Sequence, residues 1–364
     1  MKAEKTIKCR IINPNKGKLK ALEKEYEKVQ KYIHGNDEVE LYSATAQAVN
    51  KYTDWNSVKD DKEYPWYLRN DVLSVKKSRD TTEFDYWANI PVKGIYGGVT
   101  VPVIPHEEIK DEYNFKDSKI VKKEYGFELH LSVTKEVETA RPYNGAIGVD
   151  LGLSKLAVGV LLPSRQTHCW GTDVGDIRAK YYFLRRNCSN GFVRKKWDDK
   201  DKNKIDDICH QISRDIVDKA KKHNLLIVLG DLDGIQDDDK GKTMNRRLHN
   251  FPHWKLRQYI KYKARWEGLD VIEVSEAYTS QRCSRCGELG DRHLGRFVCN
   301  NCGIEIDSDK NGAHNIAKRG IGKFEKTSSD TRGVVTAPEA TTVDPTSASA
   351  EVSSKKKRNL NSSA

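Results

Sequence analysis

The chain has no apolar run long enough to span a bilayer, and it does not open with the basic and apolar stretches of a secretion signal. Both absences argue for an intracellular protein with no membrane partner. Acidic residues are in deficit: 53 Asp and Glu stand against 64 Lys and Arg, for a net charge of +11. That imbalance makes a polyanion the default partner, nucleic acid ahead of an anionic membrane. Cysteine is sparse, at eight in 364 residues. Cys9, Cys169, Cys188 and Cys209 are scattered, which suits a reducing compartment better than a disulfide framework. What remains is ordinary: 37% hydrophobic and 32% charged residues, enough for two or three soluble domains.

The other four cysteines are grouped. Cys283-Ser-Arg-Cys286 and Cys299-Asn-Asn-Cys302 are two C-x-x-C knuckles with twelve residues between them, each closed by a glycine, Gly287 or Gly303. Four thiolates at that spacing suit one tetrahedral zinc ion better than two surface turns or two disulfides. Four sulfurs leave no open coordination position, so such a zinc is structural. A strand is predicted before the knuckles, over 269–276, and a helix start after them. Asp309, Ala313, Ile316 and Gly320 fall on one stripe of that helix, aiming Asp309 into the fold, while Asp307 lies on another face and suits a cap. The cysteine ribbon therefore reads as an insertion between a strand and a helix.

From the start of the chain, residues 1–12 alternate like a strand. A helix is predicted over about 16–34, with Leu19, Leu22, Tyr26, Val29 and Ile33 on one face, and further helices around 39–50 and 66–77. Strands are predicted at 92–104, 118–123 and 126–134. This portion reads as a small β-barrel with a helical insertion and no catalytic content. Tyr42, Tyr52, Trp55, Trp66 and Tyr67 are either nucleic-acid stacking platforms or core.

From residue 145 the texture changes. Gly145–Asp150 is a buried strand carrying one carboxylate, and two further strands, 155–162 and about 167–170, complete a meander. A basic stretch follows, in which Arg185, Arg186, Lys195 and Lys196 are candidate nucleic-acid contacts. Then come an amphipathic helix on Ile205, Ile208, Ile212, Ile216 and Ala220, a strand at 225–232, a polar loop through 237–247, a helix at 253–267 and the strand at 269–276. Three meandering strands followed by two reached through helical crossovers form an α/β domain of RNase H-like arrangement. Nucleases of that architecture set acidic residues near strand ends to hold two divalent ions about 4 Å apart.

Six motifs carry a closer likeness: Gly148-Val-Asp150-Leu-Gly152, Gly230-Asp-Leu-Asp-Gly-Ile235, Asn245-Arg-Arg-Leu-His-Asn250, Tyr262-Lys-Ala-Arg-Trp-Glu-Gly268, Tyr278-Thr-Ser-Gln-Arg-Cys283 and Asp307-Ser-Asp309-Lys-Asn-Gly-Ala-His-Asn-Ile316. In order and spacing, over about 145–320, the chain resembles the TnpB (OrfB) family, transposon-encoded RNA-guided nucleases related to type V CRISPR effectors and to Fanzor proteins. The resemblance implies a wedge β-barrel at 1–138 with a helical recognition insertion at about 15–80. It implies a RuvC nuclease domain at 139–282, a zinc ribbon at 283–302, a last RuvC helix at 303–322 and a disordered tail at 323–364, ending near the basic run Lys355–Arg358. It also implies a guide RNA from the transposon end and a double-stranded DNA target read beside a short protein-recognised motif. Catalysis would use Mg2+ or Mn2+, in the cytoplasm or nucleoid of a prokaryote; nothing fixes the oligomeric state.

By the same resemblance Asp150 is the first RuvC carboxylate and Asp309 the third. The second is the difficulty, because the usual Glu-Asp-Leu reads Gly230-Asp231-Leu232 here. Glu276 can replace it from the neighbouring strand end, as in Fanzor proteins and some TnpB relatives. Asp231 is a weaker substitute, one residue along a strand and so on its opposite face. A third reading is a nuclease that has lost cleavage and still binds RNA and DNA. Glu273, on the other face of its strand, is expected to face solvent.

Overall fold

Apolar–polar alternation makes Lys2–Ile11 a strand, β1, that turns Ala3, Ile7, Cys9 and Ile11 inward and Lys8 and Arg10 outward. In the computed structural model, residues 1–330 are described except 13, 36–38, 79–82, 153 and 232–251. One compact unit, Met1–Gly322, holds both sheets and the candidate site residues.

Around β1 lie β2 (Trp66–Leu68), β3 (Ser74–Lys77), β4 (Tyr86–Ile90), β5 (Val99–Pro105), β6 (Asn114–Phe115), β7 (Ser118–Lys123) and β8 (Gly126–Glu136). They form one antiparallel sheet in the order β2-β7-β8-β1-β5-β4-β3, with β6 paired to β8. β1 and β8 form its spine, in register from Lys2↔Glu136 to Arg10↔Glu128. Helix α1 (Lys16–Ile33), capped by the Asn15 side chain accepting from the Lys18 amide at 2.9 Å, lays Leu22, Tyr26, Val29 and Ile33 into the same core. Helix α2 (Ser43–Tyr52) follows, then a 3-10 turn at Trp55–Ser57.

Two expectations fail in this portion. The helix predicted at 66–77 is two short strands, β2 and β3. Pro65 disfavours helix in the residue before it, and Trp66 and Leu68 point inward with period two, both fully buried. Trp66 is therefore core and no stacking platform, whereas Tyr42, Tyr52 and Trp55 are exposed. The helical insertion accordingly ends near 57 rather than 80. The strand predicted from 92 begins only at Val99, because Gly94, Gly97 and Gly98 turn the chain at positive φ. Among the described residues the end strands β2 and β3 do not pair with each other, so hydrogen bonding leaves the sheet open.

The second sheet contains β9 (Gly145–Asp150), β10 (Ala157–Leu162), β11 (Thr167–Trp170), β12 (Leu225–Asp231) and β13 (Val271–Ser275), in the order β11-β10-β9-β12-β13. β9, β10 and β11 are antiparallel; β12 runs parallel to both β9 and β13. This is the meander followed by crossovers that the element order predicts. Helix α3 (Val174–Arg186) and helix α4 (Gly191–His223) precede β12, and helix α5 (His253–Trp266) precedes β13. Ile205, Cys209, Ile212, Ile216 and Ala220 of α4 and Leu256, Ile260 and Ala264 of α5 pack with Ile147, Val149, Ile227 and Leu229 of the sheet. Helix α4 starts well before its apolar stripe, capped by Asn190 accepting from the Phe192 and Val193 amides. The polar loop expected at 237–247 and the motif at Asn245–Asn250 lie outside the described residues.

The knuckles sit on a three-stranded ribbon, β14 (Asp291–His293), β15 (Arg296–Val298) and β16 (Glu305–Asp307). From it helix α6 (Ser308–Asp330) crosses the other face of the second sheet. It runs past the expected end at 322, since Lys323–Asp330 contains neither glycine nor proline; residues 331–364 lie outside the described residues. Small residues set how closely α6 approaches. A β-carbon on Gly148 of β9 would lie 2.2 Å from the Ala313 carbonyl oxygen, and one on Gly320 would lie 2.2 Å from a Val228 methyl. Gly148 and Val228 are register partners on adjacent strands, so both contacts fix the helix to one face.

Gly148→Ala should therefore cost about 1–3 kcal/mol by overpacking. Gly322→Ala, where a new methyl meets open space, should gain up to about 1 kcal/mol in helix propensity. Urea unfolding of the two variants checks the contrast; equal effects would refute the tight helix–sheet contact.

Candidate metal centres

Each knuckle is a tight turn. The Gly287 amide donates to the Cys283 carbonyl at 3.0 Å and the Gly303 amide to the Cys299 carbonyl at 2.9 Å, with both glycines at positive φ. The turns bring all four Sγ atoms within 4.8 Å of one another, with Cys283 and Cys302 at 3.6 Å and Cys286 and Cys299 at 3.5 Å. These separations are far too long for disulfides, at about 2.05 Å, and all eight cysteines are free. They suit four thiolates around one tetrahedral ion.

Helix α6 is bolted to this ribbon by two buried amides. Asn311 accepts from the Ser284 amide at 2.9 Å and donates to the Arg282 carbonyl at 2.8 Å. One turn on, Asn315 donates to the carbonyls of Thr279 and Arg282 at 2.7 and 2.6 Å. Thr279 in turn donates through its amide and its hydroxyl to the Glu276 carbonyl, at 3.0 and 2.8 Å. The backbone between β13 and the first knuckle is thus tied to the helix that carries Asp309.

Asp150, Glu276 and Asp309 converge on this junction. Asp150 ends β9 and rests against the helix: a β-carbon on Gly312 would lie 2.4 Å from its Oδ2. Glu276 follows β13 and folds its side chain over Gly230 of β12, where a β-carbon would fall 1.8 Å from Glu276 Oε1 and 2.5 Å from Cδ and Cγ. The carboxylate therefore fills the space that a side chain at 230 would need. Glu276 Oε1 is buried with no hydrogen-bond partner, a costly state for an oxygen with nothing to bind. Asp309 opens α6 beside Asp307, whose Oδ1 caps the helix by accepting from the amides of Asp309 and Lys310 at 3.0 and 3.2 Å.

Charge separates these carboxylates. Burial, then the nearby Asp309, pushes Asp150 up to about 7; burial, then Asp150, pushes Glu276 up to about 8. Asp309 has cations instead, with Lys155 Nζ at 3.3 Å and Arg292 of β14 at 3.8 Å. Lys155 also lies 2.7 Å from Asp307 Oδ2, which it holds below the usual carboxylate range. Among the described residues the four cysteines are the only set of three or more possible ligands whose donor atoms all lie within 4.8 Å, so the carboxylates stand further apart. The oxygen-only donors and the orphaned Glu276 Oε1 nevertheless fit a hard divalent cation.

Asp231 and Glu273 are instead both paired with Arg257; Glu273 is also 2.8 Å from Lys261. Glu273 is half-buried in that cluster, where the sequence reading had it facing solvent. Of the basic candidates, Arg185 is committed within the α3–α4 hairpin to Asp201 at 2.9 Å and Asp198 at 3.5 Å. Arg186, Lys195 and Lys196 are exposed. Lys155, Arg292, Thr279, Asn311 and Asn315 escaped the sequence reading. The last three lie within the quoted motifs, and the i,i+4 spacing of the two asparagines on the helix face toward the knuckle was the available signal.

The comparisons with known proteins fall on this same region. Residues 253–316, from α5 through the ribbon into α6, match the family model described as Cas12f1-like, TNB domain. The TnpB-like protein MJ0751 of Methanocaldococcus jannaschii is 36% identical over 137 residues, covering 36% of this chain and 49% of that protein. The CRISPR-associated endodeoxyribonuclease Cas12f1 of Sulfoacidibacillus thermotolerans is 41% identical over 131 residues, 35% of this chain and 30% of that protein. The chain thus matches less than half the length of either relative. Among solved structures, a chain from the cryo-EM structure of a Cas12f1–sgRNA–target DNA complex aligns at a TM-score of 0.43 and 14% identity, over 87% of this chain and 99% of that one.

With folded-state values raised, Asp150 and Glu276 keep their protons in the fold at pH values where the unfolded chain has lost them. Their contribution is complete below about pH 4 and is lost as pH rises through about 7 to 8. Without divalent cation, Glu276→Gln should therefore come closest to the parent below about pH 4 and melt several degrees higher at pH 8, on the order of a few kcal/mol. Melting curves against pH check this; parallel pH slopes would refute the buried, cation-free state of Glu276.

Proposed function

We propose that this chain, a TnpB-family protein related to the type V effectors, is an RNA-guided DNA endonuclease whose carboxylates are Asp150, Glu276 and Asp309. The observation that carries the reading is Glu276 lying in the space above Gly230. The family's second carboxylate is missing from position 230, and a carboxylate from the adjacent strand end fills the vacated volume. Asp231, paired with Arg257, is the weaker replacement.

On this reading the second sheet with α4, α5 and α6 is the RuvC nuclease domain. The cysteine ribbon binds a structural zinc ion, and the first sheet with α1 and α2 is the wedge and recognition portion. Asp150, Glu276 and Asp309 would hold magnesium or manganese, which when bound supplies charge neutralisation at the scissile phosphate and an activated water. The chain's own part is to hold these ligands in place, Asp150 against Gly312 and Glu276 over Gly230, with Glu276 Oε1 buried. Arg292 adds positive charge on the same rim, favourable for a phosphodiester backbone. The net charge of +11 suits a guide RNA and a double-stranded DNA target, and the reading carries with it the cytoplasm or nucleoid of a prokaryote. Among the described residues no helix is long and apolar enough to cross a membrane.

Asp150→Ala and Glu276→Ala should each lower cleavage of a guide-matched plasmid by at least about a thousandfold while leaving RNA binding intact. Asp231→Ala should cut normally. Target binding without scission by the parent protein, at any Mg2+ or Mn2+ concentration, would replace this reading with that of a guide-directed binder. Removal of the cysteine-bound ion by a chelator, or Cys299→Ser, should unfold the ribbon and abolish cleavage, with one zinc per chain lost by elemental analysis.

A further inference from the structure

We infer that Lys155 is a built-in counter-cation for Asp309: it supplies in the resting protein the positive charge that a divalent ion brings to this side of the cluster, and it must let go for that ion to bind. The inference rests on the proposed metal-binding role of Asp150, Glu276 and Asp309.

Positive charge is distributed unevenly over the acidic cluster. Among the described residues, neither Asp150 nor Glu276 has a Lys or Arg within 4.0 Å, and Glu276 Oε1 has no hydrogen-bond partner. That half accepts a cation without losing an ion pair. Asp309 is already neutralised, chiefly by Lys155 at 3.3 Å, with Arg292 further off at 3.8 Å. A divalent ion arriving there meets a like charge at contact range, and such repulsion in a partly dehydrated site is strong. It has to evict Lys155 or bind poorly.

Lys155 is held so that eviction is cheap. Its Nζ lies closer to Asp307, at 2.7 Å, than to Asp309. Asp307 commits Oδ1 to the first amides of α6 and leaves Oδ2 for the ammonium group. The lysine can therefore release Asp309 while keeping its bond to the capping carboxylate, without becoming a buried, unpaired charge. It is a positioning residue, touching a ligand and no reacting atom.

The test uses the full chain, zinc-loaded and free of other divalent ions and nucleic acid, titrated with Mn2+ alone. Bound and free ion are followed by electron paramagnetic resonance and calorimetry. The parent should show one tighter and one weaker binding event. Lys155→Met should strengthen the weaker event by about tenfold or more and leave the tighter one within about twofold. Lys155→Gln, a second neutral variant that keeps a hydrogen-bond donor for Asp307, should do the same if Lys155→Met folds poorly. Lys155→Arg, which keeps the charge, should behave like the parent. Adding Asp309→Asn to Lys155→Met should erase the gain. Unchanged or weakened Mn2+ binding in both neutral variants overturns the role of Lys155 alone, as does equal strengthening in Lys155→Arg. Absence of Mn2+ binding in the parent and every variant overturns the metal reading and this inference together.

Discussion

The site depends on one steric exchange: the Glu276 carboxylate lies where a side chain on Gly230 would have to be. β12 and β13 run parallel and in register, with Gly230 opposite Val274, so a residue just past the end of β13 can reach back over β12 only if nothing stands in its way. A carboxylate can thus be supplied from 230 or from 276, and the two positions exclude each other. With glycine at 230 the second route is open, and the side chain is held where burial and Asp150 keep it protonated up to about pH 8. Such a buried, unpartnered oxygen works against the stability of the fold, and sites of that kind persist where they have something to bind.

Holding Glu276 there is a backbone problem, solved from the ribbon side. Thr279 fixes the Glu276 carbonyl, Asn315 fixes the Thr279 carbonyl, and Asn311 joins the first knuckle to the same helix. Each buried amide has its partners, so the polar chain running through the junction stiffens it. The ribbon's position, inserted between the strand that precedes Glu276 and the helix that carries Asp309, has a physical meaning on the proposed reading: an ion held by the four sulfurs would order both flanks of the site. The glycine and alanine surface of α6 completes the arrangement by letting the helix lie directly on β9, which brings Asp309 to the Asp150 end of the sheet.

Much of this was legible in the sequence. The cysteine spacing gave one four-sulfur cluster, the order of elements gave the second sheet, and the face count separated Asp309 from the capping Asp307. Alternation likewise set Glu276 apart from Glu273, which pairs with Arg257 and Lys261. The misreadings have identifiable physical causes. At 66–77, the segment expected to be a helix is two short strands, because Pro65 and pairing with β7 and β4 outweigh helical propensity. Lys155 could not be found because its partners lie more than 150 residues away in sequence, and no local pattern encodes an ion pair across that distance. Arg185 likewise has partners that lie one helix further on, Asp198 and Asp201, which no local pattern of basic residues reveals.

The acidic cluster is compensated in two different ways, and the difference follows from exposure. At Asp150 and at Glu276, whose Oε1 is buried, bringing in a lysine would cost part of its own hydration, and a proton is the cheapest neutraliser. At the rim, Asp309 keeps more than a quarter of its side chain exposed. There an ammonium group stays partly hydrated while it pairs, so a lysine serves. On the proposed reading, a divalent ion would displace protons from the inner half and an ammonium group from the outer half. The first exchange is governed by pH, whereas the second is governed by how firmly Asp307 retains Lys155. A proton inside and a shared ammonium group outside thus offset the charge of the grouped carboxylates by two different means.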